Sequence, residues 1–481
     1  MNIFHLASEV NPYIKTGGLA DVVGSLPVSQ ASIRGNKVNI LMPLYKKIPE
    51  NFDVEYFTDF SVDTPYGKKT VIVKTFQHTK NIKVFFIGEY GYYFRDEIYG
   101  DYEDNAERFA FFSKSSLELI KKLDIKPDVV HCHDWQTGLT SFYGKKDKFF
   151  NNTVFAFTIH NIAYQGLFNY SDLYTMDIDS SYFTQDYLEF YGKGSMLKAG
   201  IVFSDFVNTV SPSYRNETLT PEYGFGMDGL LQSVSFKYSG IVNGIDIKEW
   251  NAEKDKMIYK KYSADKIDDK EINKKKLFQD MNLKYHSESA LFVAVTRLAE
   301  QKGIELIINN IKFIAENGHK LIILGSGDKF YEDLLIEFEK KYAENVRVIL
   351  KYDFELAHKL YAGADFFLMP SKFEPCGLSQ LISLLYGTIP VVRKTGGLAD
   401  TVLDLKTNPE IGTGFVFENF FIDEFQQALD NALTVFKNKN SFKNLKIRAM
   451  NQDFTWDNTS KEYLKLYKQY LNKIKNNAEE V

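Results

Sequence analysis

The chain has 481 residues, too many for one ordinary hydrophobic core, so two large domains are expected. Its composition is 44% hydrophobic and 25% charged with a net charge of −5, which describes a globular protein and argues against a general nucleic-acid binder. Two cysteines, Cys132 and Cys376, exclude a disulfide framework and fit a reducing compartment, and no apolar run approaches the roughly 18 residues of a membrane span.

The sequence opens directly on a strand pattern, without the basic segment, apolar stretch and cleavage site of a signal peptide, so a cytoplasmic protein is expected. Strands are predicted over 3–10, 37–43, 71–76, 83–88, 128–134 and 154–161, several apolar on successive residues as in strands covered on both faces. Helices intervene, as over 106–123, where Phe109, Phe112, Leu117 and Ile120 recur at helical spacing. Alternation of this kind predicts a parallel, doubly wound sheet. A lysine-rich polar stretch at 254–276 is read as solvated surface, and the pattern then restarts with strands at 290–297, 320–325, 346–352, 365–370 and 389–393. The boundary between the halves is placed near 239–244, and a last helix is predicted at 460–475. The 40 Phe and 30 Tyr are assigned to core packing and compositional bias before any sugar-lining role.

The halves share a sequence. Lys15-Thr16-Gly17-Gly18-Leu19-Ala20-Asp21-Val22-Val23 recurs at 394–402 with one difference, Thr401 for Val22, and both copies sit between a strand and a helix. Paired glycines let backbone N–H groups approach an anion, and a helix start adds its dipole. A helix terminus contributes ~0.3–1 kcal/mol, whereas a lysine about 4 Å from a phosphate charge contributes roughly 4 kcal/mol before desolvation. Lys15 therefore matters more than the dipole, unless the segment is a plain strand–turn–helix junction.

Three further clusters carry chemistry. Thr296-Arg297-Leu298-Ala299-Glu300-Gln301-Lys302-Gly303 offers two cations suited to a pyrophosphate, or two cations paired by Glu300. In Ser371-Lys372-Phe373-Glu374-Pro375-Cys376-Gly377-Leu378-Ser379-Gln380, a carboxylate at a proline-flanked turn is placed to orient sugar hydroxyls, with N–H groups from Gly377 onward facing a ligand. Cys376 lacks an evident base and reads as a packed small residue before a nucleophile. His131-Cys132-His133-Asp134-Trp135 and Thr158-Ile159-His160-Asn161 end buried strands. His131 and His133 share a strand face without a compact ligand set, so sugar-hydroxyl bonding by Asp134 and His160 is preferred to a metal. Gly325-Ser326-Gly327 lacks a full dinucleotide fingerprint.

Taken in order, these segments resemble the bacterial glycogen synthase and plant starch synthase family across nearly the whole chain. The matching stretches also include Ala7-Ser8-Glu9-Val10, Asp104-Asn105-Ala106-Glu107-Arg108-Phe109, Asn243-Gly244-Ile245-Asp246 and Gln452-Asp453-Phe454-Thr455-Trp456. The resemblance implies an α/β protein of two facing Rossmann-like doubly wound domains (GT-B type) with an interdomain cleft. It places an acceptor-side domain at 1–241, a nucleotide-sugar-binding domain at 242–457, and a helix crossing back to the first domain at 458–481.

It also implies roles. Lys15, Gly18, Arg297 and Lys302 would bind the donor's pyrophosphate, and Tyr352 would stack on the nucleotide base. Asp134, His160, Asn243, Glu374, Cys376 and Gly377 would surround the transferred glucose, with Gly17, Asp21, Leu378 and Ser379 completing the binding set. The expected catalytic residues are Asp134, His160, Arg297, Lys302 and Glu374. The region 92–108 is associated with the acceptor, glycogen or a malto-oligosaccharide. The expected donor is ADP-glucose, with UDP-glucose not excluded by the residues, and no metal, cofactor, nucleic acid or membrane is expected. Related retaining enzymes often carry a second glutamate eight positions after the first, where this chain has Ile382, a departure common to synthases of this branch. With no well-placed carboxylate nucleophile, a front-side, oxocarbenium-like path is expected. The alternatives are an inactive glucan-binding paralogue or a related two-domain transferase with another donor or acceptor.

Overall fold

The computed structural model describes residues 1–479. The chain divides into two compact units, one formed by Met1–Gly244 together with the residues from Trp456 on, the other by Ile245–Thr455. These limits differ by a few residues from 241 and 457 because the last helix begins early. Trp456 opens that helix with its indole buried in the first unit's core, and a Cβ on Gly244 would lie 2.8 Å from the Trp456 Cα.

In chain order the first unit's strands are β1 (Asn2–Leu6), β2 (Lys37–Pro43), β3 (Glu55–Thr64), β4 (Gly67–Thr79), β5 (Ile82–Gly88), β6 (Val129–His133) and β7 (Val154–Ile159). They continue with β8 (Leu167–Phe168), β9 (Glu189–Phe190), β10 (Lys193–Ser195), β11 (Phe206–Thr209) and β12 (Tyr238–Gly240). Nine of them form one sheet in the order β12-β11-β7-β6-β1-β2-β5-β4-β3, and β8, β10 and β9 form a small antiparallel sheet. From β12 to β5 the large sheet is parallel, and β6, β7 and β11 are buried along their whole length. The parallel sheet is extended at one edge, where β3, β4 and β5 pair antiparallel. β3 is mostly exposed, and an antiparallel edge can face water where a parallel strand between helices cannot.

The second unit has β13 (Leu291–Val295), β14 (Lys320–Leu324), β15 (Val346–Ile349), β16 (Phe366–Met369), β17 (Ile389–Arg393) and β18 (Phe415–Phe417). All pair parallel in the order β15-β14-β13-β16-β17-β18, so the first strand of the unit lies beside its fourth. In both units the chain winds outward in two directions from a central pair, β1 and β6 in one, β13 and β16 in the other. Ligands of open parallel sheets bind beyond the carboxyl ends of such a pair.

The lysine-rich stretch is not a solvated surface throughout. In the helix Lys270–Asp280, Lys270 and Lys274 are buried. Lys270 Nζ donates to the carbonyls of Tyr361 and Ala362 and to Thr388 Oγ1 at 2.7–3.0 Å, while Lys274 pairs with Asp365 at 2.7 Å. Composition conceals this because long aliphatic stems let a lysine cross an apolar layer to reach acceptors beneath it. The final helix, Trp456–Glu479, lays Trp456, Tyr463, Leu464, Tyr467 and Leu471 at helical spacing onto the first unit's core. Among the described residues no helix is long and apolar enough to cross a membrane.

Candidate functional site

In the N-terminal unit the loops after β1 and β6 carry the expected residues. Lys15 and Asp21 form an ion pair at 2.7 Å across the turn that opens the helix Gly18–Ser32. The Gly17 amide, expected to face an anion, instead donates to the Glu9 carboxylate, as does that of Thr16, and Glu9 also accepts from Thr16 Oγ1 and from the Tyr99 hydroxyl, both at 2.7 Å. Glu9 thus holds the loop in shape and leaves Lys15, Gly17 and Gly18 exposed. Its place in a matching stretch was visible in the sequence, but not its function as an anchor.

The loop after β6 begins at Asp134, whose φ of 58° and ψ of 179° lie in a region seldom occupied by residues other than glycine. Such a conformation costs about 1–3 kcal/mol and persists where the surroundings dictate it. Here the Asp134 amide donates to the Thr158 carbonyl at 3.0 Å, and its carboxylate accepts from the His160 amide at 2.7 Å. Burial pushes the Asp134 carboxyl up to about 7, aided by the nearby Glu9 charge and opposed by the amides of His160 and Asn161. Burial lowers the His160 imidazole to about 3, so it is neutral at ordinary pH. Asn243 is buried, and its Oδ1 has no hydrogen-bond partner among the described residues.

Behind His160 lies a cluster that sequence windows did not assemble. His5 on β1 stands in register with His131 on β6, so the two share a sheet face with His133. Candidate ligand atoms of these three buried histidines lie within 4.8 Å of one another. Their ring nitrogens already bond to Gln30, Tyr467, Thr158, His160 and each other at 2.6–3.0 Å, so a metal would have to displace a complete hydrogen-bond network.

In the C-terminal unit the loops after β13 and β16 lie side by side. Lys302 Nζ meets Glu374 Oε2 at 2.6 Å, and Ser371 Oγ donates to the same oxygen at 3.1 Å. Glu300 does not neutralise either expected cation, because it pairs with Lys372. The exposed Arg297 guanidinium makes no hydrogen bond or ion pair among the described residues. Gly303, in the left-handed region at φ 67°, lets the loop turn against the Pro370 carbonyl, which a Cβ would meet at 2.0 Å.

The second copy of the repeat sits here, with a different task. Gly397 donates to the Glu374 carbonyl at 3.0 Å, and a Cβ on it would lie 2.1 Å from the Cys376 carbonyl oxygen. Gly396, the counterpart of Gly17, would put a Cβ 1.9 Å from the Glu374 carbonyl oxygen, whereas Gly17 has open space around it. One sequence therefore builds an exposed loop in one unit and a buried support for Glu374 in the other. Cys376 is buried beneath this contact, consistent with a packed residue. Gly377, at φ 72°, Leu378 and Ser379 lead into the helix Ser379–Leu385, and Ser379 hydrogen-bonds Tyr361. Tyr352 follows β15 with 77% of its surface exposed, an open aromatic face.

Residues 2–233 match the family model described as starch synthase catalytic domain, and residues 276–448 match glycosyl transferases group 1. A glycogen synthase of Finegoldia magna is 40% identical over 98% of this chain and 100% of its own length, and one of Geotalea daltonii is 41% identical over 98% and 99%. The catalytic domain of starch synthase IV from Arabidopsis thaliana, solved with ADP and acarbose, superposes with a TM-score of 0.88 at 33% identity, covering 98% of this chain and 99% of that one. A sucrose-phosphate synthase from Thermosynechococcus elongatus shares the fold, with a TM-score of 0.62 at 17% identity over 97% and 98% of the two chains.

Proposed function

The chain belongs to the glycogen and starch synthase family and is a hexosyltransferase, and from that premise we propose that it transfers glucose from ADP-glucose to the non-reducing 4-hydroxyl of an α-1,4-glucan, with retention and release of ADP. The observation that carries the site assignment is the pairing of Lys302 with Glu374 at the carboxyl ends of β13 and β16, beside an unpaired Arg297. A cation pair of which one member is uncommitted and the other is held by a carboxylate suits a leaving group whose charge grows during reaction.

In this reading Arg297 and Lys302 bind the pyrophosphate and stabilise the departing phosphate oxygen, with Lys15, Gly17, Gly18 and Asp21 forming the N-terminal unit's phosphate loop. Tyr352 stacks on the base. Glu374, Asp134 and Asn243 hold sugar hydroxyls, and the backbone from Cys376 through Gly377, Leu378 and Ser379 lines the sugar and phosphate. His160, neutral through burial, supplies a hydrogen bond and not a proton. The acceptor oxygen bonds to the anomeric carbon as the carbon–phosphate oxygen bond breaks on the same face, and the acceptor's proton passes to the departing phosphate. The donor is already activated, so the reaction needs no cofactor.

ADP is favoured over UDP because the Arabidopsis relative was solved with ADP. A cytoplasmic location is supported by two buried cysteines that form no disulfide among the described residues. Incubating the protein with ADP-glucose and maltoheptaose, then reading the new linkage by proton NMR, tests the proposal. An added α-1,4 glucose supports it, and a β-linked product contradicts it.

A further inference from the structure

The histidine cluster behind His160 is one member of a longer chain of hydrogen bonds, and its protons can be placed in sequence. The starting point is Asn208 on β11, whose Nδ2 lies 3.4 Å from the Thr209 carbonyl. A carbonyl only accepts, so the amide nitrogen faces it, and also donates to the Tyr463 hydroxyl at 2.8 Å. Asn208 Oδ1 therefore faces Thr158, whose hydroxyl donates to it at 2.8 Å.

With its proton committed there, Thr158 Oγ1 accepts from His131 Nε2 at 2.6 Å. His131 is then protonated on Nε2, and its Nδ1 accepts from the Tyr467 hydroxyl at 2.7 Å. The Tyr467 oxygen accepts in turn from Gln30 Nε2 at 3.3 Å, which turns Gln30 Oε1 toward His5. His5 donates to it from Nε2 at 2.8 Å and accepts on Nδ1 from His133 Nε2 at 3.0 Å. His133 Nδ1 accepts from His160 Nε2, again at 3.0 Å. Every link runs in one direction, from His160 through His133, His5, Gln30, Tyr467, His131, Thr158 and Asn208 to Tyr463. His160 Nδ1, at the head of the chain, has no partner among the described residues.

We propose that this chain is a tautomer lock, in which His133, His5 and Gln30, backed by Tyr467 of the final helix, are positioning residues that hold His160 as its Nε2–H form and leave Nδ1 to accept a hydrogen bond from a hydroxyl of the sugar substrate. The inference rests on the reading of His160 as a sugar contact and deepens it. Neutrality is a condition for the lock, since an imidazolium would donate from both nitrogens and break the order. Burial supplies it, lowering His5 to about 4 and His131 and His133 well below their usual range. A neutral imidazole alone has no fixed tautomer, so without the chain His160 would meet the substrate with Nδ1 as acceptor in only part of the population.

The test uses the full-length protein labelled with 15N-histidine. Its eight histidines keep the NMR spectrum sparse, and the signals lost in His160→Asn assign His160. The wild type should show His160 protonated on Nε2 alone. Gln30→Met leaves His5 Nε2 with nothing to donate to, so the rings should reverse, His160 should move to its Nδ1–H form, and kcat/KM should fall about tenfold, the effect of one hydrogen bond. Tyr463→Phe acts beyond the Asn208 anchor and should leave both tautomer and kcat/KM within about twofold of wild type, well inside the effect of one hydrogen bond.

A wild-type His160 protonated on Nδ1 overturns the proposal whether or not the variants fold. So does a folded Gln30→Met that keeps the Nε2–H form, because the chain then serves stability alone. A folded wild type with the expected tautomer and no glucosyl transfer contradicts the functional reading while the lock stands, so the two failures are distinguishable.

Discussion

Lys302 Nζ stands 2.6 Å from Glu374 Oε2, joining two residues that lie 72 positions apart and follow neighbouring strands of the C-terminal sheet. The pair has two consequences that can be separated. Structurally, each partner compensates the other's desolvation. Chemically, the lysine remains close enough to the surface to meet a phosphate.

Lys302→Met should therefore lower stability by about 1–3 kcal/mol, because among the described residues the Glu374 carboxylate keeps only Ser371 as a side-chain partner. Adding Glu374→Gln to it should recover most of that loss, while kcat stays about 10²–10³-fold down in both variants. Urea denaturation and steady-state rates on the same preparations separate the terms. Parallel recovery of stability and activity would show the lysine to be structural only.

Asp134 makes a prediction about pH. Its carboxyl is raised by burial from the ordinary 3.8 to about 7, so between those values the native state binds more protons than the unfolded chain. Stability must then fall as pH rises from about 4 to about 7 and level off above. Asp134→Asn cannot titrate, so the wild-type melting temperature should drop relative to the variant over that window, as measured by calorimetry at fixed ionic strength. Parallel curves would contradict the assigned burial.

The two copies of the repeat should tolerate change differently. Gly396→Ala drives a Cβ to 1.9 Å from the Glu374 carbonyl oxygen at a φ of 43° and should cost more than about 2 kcal/mol, as overpacking does, and should displace Glu374. Gly17→Ala enters open space at an extended φ of −156° and should change stability by no more than about 0.5 kcal/mol. Thermal melts of the two variants decide the matter.

Lys274→Met should destabilise the protein by about 3–5 kcal/mol, because it leaves Asp365 buried without its cation. Near-neutrality in chemical denaturation would mean that the carboxylate is satisfied by its remaining bond from the Leu291 amide at 2.8 Å.

Much of this architecture was legible because it is written in local patterns. Buried parallel strands such as Lys37–Pro43 and Ile389–Arg393 are short apolar runs, and their bounds agree with the sequence reading. The exposed edge strand Glu55–Thr64 has no such run and went unread, as did the short Phe415–Phe417. Lys302 and Glu374 were each visible in their loops, but their pairing depends on β13 lying beside β16, which no window contains. His5 shows the same limit. It was an unremarked residue of the first strand until sheet register set it beside His131 and His133. Likewise the repeat was plain in sequence, whereas the opposite burial of its two copies follows from what each loop packs against.

The most direct test of the central claim is nucleotide release from the purified protein given glycogen and either ADP-glucose or UDP-glucose, beside a Lys302→Ala variant. The account predicts rapid, glycogen-dependent release of ADP that falls by about 10²–10³-fold in the variant. Release from UDP-glucose alone, or equal release by the variant, would contradict it.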